Sequence, residues 1–269
     1  MLTKKELTEV LYLSCVENYF LAWLNRYYDI SKLYGTEFIS LSKVFYDFSH
    51  GATYEYYIKN KRIQDISEDY GITIHEYYSC NVETAIELIK ILDKGSLCLI
   101  RVNNNFFNNS KRLPLREDHY ICIDKDFNYI NQYPLSDGTL TIGEIKEYYD
   151  GTIIIYKINN RNVILKDLVT DEIINQNIEI KCIPNDLSSL ESAVGILRVN
   201  RKRLKQYYKN NITASNLLTE EVKILDNLYL KCRLMLLRKI KGFDIKEYVI
   251  PLINLEFELI EVLEKWKKN

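Results

Sequence analysis

The sequence predicts an α+β fold: a helix-first mixed domain over residues 1–184, in which a helix packs on an antiparallel sheet, followed by a helical subdomain over 185–269. Three observations carry that expectation. Apolar residues recur at helical spacing through Phe20, Trp23, Leu24 and Tyr27. Short β-branched or alternating runs separated by polar turns crowd the stretch from 96 to 183. Beyond Pro184, three successive segments keep a 3.6-residue period.

Taken in order, the first predicted helix runs from Cys15 to about Tyr28. A second fits "VETAIELIKILDKG", with Gly95 as its stop and Lys90 and Lys94 in its last turns. The runs "SLCLIRV", "HYICI", "NYINQY", "GTIIIYKI", "NVILK" and "IEIKCI" read as strands, with "LTIGEIKEYYDG" as a helix among them. The three closing helices start near residues 186, 217 and 244, and Pro251 kinks the last or marks its true start.

Composition narrows the function. With 269 residues, 47% of them hydrophobic and 27% charged, the chain can bury a sizeable core and is not a disordered one. A net charge of -1 gives no reason to expect nucleic acid. Apolar runs such as "TIIIY" are too short to span a bilayer, and "MLTKKELTEV" alternates charges where a secretory leader would be apolar. A cytoplasmic protein without a membrane partner is the expectation. Six cysteines (15, 80, 98, 122, 182 and 232) form no C-x-x-C pair, which argues for reduced thiols. The 22 tyrosines are read as compositional bias and receive no role.

No metal and no cofactor are predicted. The three histidines do not stand at helical spacing from another His or Cys, and "GTLTIG" is followed by Glu-Ile where a phosphate loop needs Lys-Ser/Thr. What remains is cysteine with histidine. A lone cysteine is more often a small buried hydrophobe, but Cys15 opens a helix, whose unpaired N–H groups and dipole stabilise a thiolate. His119 opens a strand in "REDHYICIDKD". A three-residue hairpin loop, 124–126, would set Asn131 directly opposite it as the group that fixes its tautomer. A loop one residue longer would bring Gln132 there, and Asp137 is a third candidate. His50 and His75 read as ordinary surface or core histidines.

A cysteine opening a helix, about a hundred residues of mixed structure, then His-aromatic on one strand and Asn or Asp on the next resembles papain-like cysteine enzymes, in their C39-peptidase-like branch. "SCVENYFLAWLNRYYDIS", "SEDYGI", "KGSLCLIRVNNNFF", "DHYICI" and "INQYPL" with "LTIGEIKEYYDG" resemble the butirosin BtrH type of acyltransferase. The resemblance implies a papain-like fold with a helical extension. It implies Cys15 as nucleophile, His119 as base and Asn131, ahead of Tyr133-Pro134, as orienting residue. It also implies transglutaminase-like transfer of an acyl chain from a carrier-protein thioester to a small amine or diamine, in the making of peptide-like antibiotics. There are two departures. No glutamine precedes Cys15 in "LTEVLYLS" to complete an oxyanion hole, and Asn stands where relatives often have Asp. Hydrolysis of a peptide or thioester by the same residues, or a binding module that has lost the chemistry, are the alternatives. The basic run "RVNRKRLKQYYK" is read as a solvated helix face, or else as a dock for an acidic carrier protein.

Overall fold

The computed structural model describes residues 1–35, 38–54, 57, 61–107, 118–159 and 183–267. The chain opens with helices α1 (Lys4–Thr8), α2 (Cys15–Leu24), α3 (Leu41–Ser49) and α4 (Lys61–Asp69). Strand β1 (Ile72–Tyr77), helix α5 (Val82–Lys90) and strand β2 (Leu97–Val102) follow. Next come β3 (His119–Ile123), β4 (Asn128–Gln132), β5 (Leu135–Thr139), α6 (Ile142–Tyr148) and β6 (Tyr149–Ile158). Helices α7 (Leu187–Tyr207), α8 (Ile212–Leu236) and α9 (Lys246–Lys267) come last. The architecture is α+β.

By contact the chain forms two compact units, Met1–Tyr28 with Asn60–Lys166 and Asp29–Lys59 with Asp167–Asn269. Residues 29–59 thus group with the C-terminal helices, a pairing that a single cut at 184 does not contain.

In the first unit the six strands form one antiparallel sheet in the order β1-β6-β2-β3-β4-β5. The middle strand β2 is buried at every position but Arg101, as a strand covered on both faces must be. On one face Ile100, Val102, Ile121, Ile123, Ile153 and Ile155 pack with Ile86 and Ile89 of α5 and Ile145 of α6. Helix α2 runs along the other. Its Phe20 ring lies 5.2 Å from that of Tyr156, and the Trp23 indole N–H donates to the Gly95 carbonyl at 2.7 Å, just before β2.

The second unit joins α3 to the three long helices, around Phe38, Leu204, Tyr208, Ala214, Leu218, Leu259 and Leu263. The basic run of α7 is not the solvated face expected of it. Arg201 is buried where it meets Glu221 of α8 and Glu256 of α9, Arg203 is buried with its guanidinium over the Tyr34 ring, and Arg198 and Lys202 pair with Asp226.

Other expectations shift in detail. Helix α2 stops at Leu24, capped by Asn25, and α5 stops at Lys90. Gly95, at φ +98°, turns the chain into β2 and does not end the helix. Strands β1 and β5 were not expected. Pro251 lies inside α9 and does not begin it. "NVILK" and "IEIKCI", with Cys182, fall outside the described residues. Among the described residues no helix is long and apolar enough to cross a membrane.

Candidate active site

Cys15 is the first residue of α2. Ser14, in extended conformation, caps the helix through its hydroxyl, which accepts from the Glu17 N–H at 3.2 Å. The Glu17 carboxylate in turn accepts from the Leu13 N–H at 2.6 Å. These two bonds hold the peptide on either side of the cysteine. The thiol is half-buried and in no disulfide, at the end of a ten-residue helix whose dipole favours negative charge there.

His119 is the first residue of β3 and is 8% exposed; Asn131, on β4, is wholly buried. The ring Nε2 lies 2.7 Å from Asn131 Oδ1. A carbonyl oxygen can only accept, so Nε2 carries the proton and Nδ1 keeps the lone pair of a base. The Phe107 ring meets the imidazole edge-on, with centroids 5.0 Å apart. Burial holds the imidazole below its ordinary pKa, and its bond to the Asn131 oxygen offsets this only in part. Near neutral pH the ring is therefore the unprotonated form.

The register that makes this contact differs from the expected one. Cys122 pairs with Ile130 and Ile123 with Tyr129, and the Asp124 N–H donates to the Asn128 carbonyl. The hairpin loop is thus longer than 124–126, and Asn131 stands opposite Ile121, diagonal to His119. A shift of two residues leaves both side chains on one face. The other two candidates for orienting residue are occupied elsewhere. Gln132 donates its side-chain amide to the Tyr12 hydroxyl, and Asp137 pairs with Lys4 at 2.6 Å. His50 caps α3 and stacks on Tyr46, and His75 lies exposed on β1. Among the described residues no cluster of His, Cys, Asp and Glu could hold a metal.

Helix α2 relates the cysteine to these strands. Its Tyr19 hydroxyl reaches both, donating to the Tyr120 carbonyl at 3.2 Å and accepting from the Gln132 N–H at 2.8 Å. One turn further on, Trp23 is tied to Gly95, beside the far end of β3. The helix therefore runs along the sheet with its Cys15 end beyond Tyr19, toward the end of β3 that His119 opens. Burial, and then the neighbouring Asp118 carboxylate, push the Tyr120 hydroxyl up to about 12. Strand alternation puts His119 and Asn131 on the face of Ile121, and Tyr120 and Gln132 on the face of α2.

No protein-family model matches the chain, and neither a curated protein nor a solved structure shows significant similarity to it.

The tyrosines at this site were passed over in the sequence as compositional. The signal that could have found Tyr19 is its spacing, four residues after Cys15 on the same helix face.

Proposed function

We propose that the chain is a cysteine-dependent acyltransferase of the papain-like, C39-peptidase-like kind, resembling the BtrH type. It would take an acyl chain from a carrier-protein thioester and form an amide with a small amine. The observation that supports this most is the bond from His119 Nε2 to the Asn131 carboxamide, on the two strands that the Cys15 helix reaches through Tyr19. That arrangement supplies a nucleophile at a helix N-terminus, a base with its tautomer fixed, and an orienting amide.

In the proposed reaction His119 takes the proton of the Cys15 thiol, the sulfur attacks the thioester carbonyl, and His119 passes that proton to the departing carrier thiolate. The amine then attacks the acyl-cysteine. His119 removes a proton from it, and the Cys15 sulfur departs as the amide C–N bond closes. One thioester is exchanged for another before the downhill amide step, so no nucleotide is consumed. The Cys15 backbone N–H, at the start of α2, would donate to the oxyanion.

The test is turnover of an alkanoyl or aryl thioester with and without a diamine. Cys15→Ala and His119→Ala should each lower amide formation by roughly 10³-fold or more. Free acid released at the same rate whether or not amine is present would replace the transferase reading with a hydrolase. Full activity in Cys15→Ala would remove cysteine catalysis altogether.

A further inference from the structure

The β3–β4 ladder is interrupted beside the candidate base. Antiparallel strands exchange hydrogen bonds at every second pair. Here Asp124 and Asn128 form one such pair and Cys122 and Ile130 the next, so the following pair is Tyr120 with Gln132. At that place the Gln132 N–H would ordinarily donate straight to the Tyr120 carbonyl. It donates instead to the Tyr19 hydroxyl at 2.8 Å, and the hydroxyl passes the bond on to the Tyr120 carbonyl at 3.2 Å. A phenol oxygen from α2 has taken the position of one ladder bond.

The interruption falls between the residue after His119 and the residue after Asn131. The Tyr19 side chain is wholly buried, and burial raises its hydroxyl pKa well above the usual value, so it stays protonated and can donate. A second tie reinforces it. The Gln132 side-chain amide donates to the hydroxyl of Tyr12, so the chain on either side of Cys15 is fastened to Gln132, at three residues before and four after.

We infer that Tyr19 is a positioning residue, whose hydroxyl holds β3 and β4 apart at the spacing the diagonal His119–Asn131 bond needs and fixes the Cys15 end of α2 to the same two strands. This rests on the acyltransferase reading for its purpose, but the geometry it asserts can be measured without turnover. Removing the hydroxyl lets the Gln132 N–H close directly on the Tyr120 carbonyl. Asn131 then moves relative to the ring, and the helix loses its tether.

The test uses the full chain carrying Tyr19→Phe, with Tyr12→Phe as a comparison. The tautomer of His119 is read from long-range ¹⁵N correlations, and the alkylation rate of Cys15 from iodoacetamide labelling across pH. In the native protein one tautomer, Nε2–H, is expected. In Tyr19→Phe a second tautomer should appear and Cys15 labelling should slow by about 10-fold, with the other thiols unchanged. Tyr12→Phe should keep the single tautomer. An unchanged tautomer and unchanged labelling in Tyr19→Phe would overturn the inference. If that variant does not fold, hydrogen exchange of the Gln132 amide in the native protein decides. Strong protection supports the relay, and exchange at the rate of an open strand end overturns it. A native Cys15 no more reactive than the other thiols would instead count against the catalytic reading, leaving the tautomer result to stand by itself.

Discussion

Asn131 makes one good bond and wastes another. Its Oδ1 accepts from His119, while its Nδ2, fully buried, has no hydrogen-bond partner among the described residues. An aspartate would remove that orphaned donor and place a negative charge against the ring. Burial holds the His119 pKa below 6.5, so the acid limb of kcat/KM for thioester aminolysis should fall below 6.5 in the native protein. Asn131→Asp should move that limb upward while retaining activity, because a carboxylate favours the imidazolium. Asn131→Ala should lose about 10²-fold in kcat, because the tautomer is no longer fixed. An acid limb in Asn131→Asp at or below the native one would show that the carboxamide does not face the ring in solution.

At the scale of elements, α2 begins where it does because Ser14 caps it and Glu17 ties back the chain before the cap. Ser14→Ala should cost about 1 kcal/mol of stability and slow Cys15 alkylation severalfold. Thr141→Ala, at the N-cap of α6, removes a similar cap elsewhere and is expected to cost comparable stability with no effect on the thiol. Equal labelling in both variants would separate the cap from the cysteine.

The helix start was legible in the sequence because its signals are local. The hairpin was legible by face but not by register. The Asp124 side chain accepts from the N–H groups of Asp126 and Asn128, and Phe127 takes a positive φ of 61°, which lengthens the loop beyond the three residues expected. Because side chains alternate with period two, a two-residue slip kept His119 and Asn131 together. Strand β5, "LSDGT", has almost no intrinsic strand preference and exists through its ladder with β4. Strand β1 pairs with β6, some eighty residues later, so no neighbouring hairpin announced it.

Across the molecule, charge placement was the least legible feature, because its partners are far apart in the chain. Arg201, read as part of a basic surface run, lies buried with Glu221 and Glu256, carboxylates from two other helices of the second unit. Its guanidinium also donates to the Ile39 carbonyl and to Asn200 Oδ1 and lies over the Phe38 ring. Glu256 accepts from the Leu41 N–H at 3.0 Å, through one oxygen, and at 3.1 Å through the other. Glu221 is the less well served. Its Oε2 lies 2.6 Å from Arg201 Nε, an ion pair with the cation it shares with Glu256.

Two carboxylates thus share one cation in a dry interior. Burial, opposed by Arg201, raises the Glu221 pKa from 4.5 to about 7, and burial raises that of Glu256 as well. Between pH 4.5 and 7 the folded chain therefore keeps a proton on Glu221 that the unfolded chain has lost, so stability falls as pH rises through this window. The full contribution is present below the unfolded value and gone above about 7. Urea midpoints measured from pH 5 to 8 should decline in the native protein. In Glu221→Gln they should decline less than in the native protein and end higher at pH 8, because the amide needs no proton to be neutral. Arg201→Met, which leaves both carboxylates without their cation, should destabilise the chain by roughly 3–5 kcal/mol near neutral pH and steepen the decline. Parallel slopes in the native protein and Glu221→Gln would mean that Glu221 is ionised and adequately paired across the whole range, and that the buried cluster carries no excess negative charge.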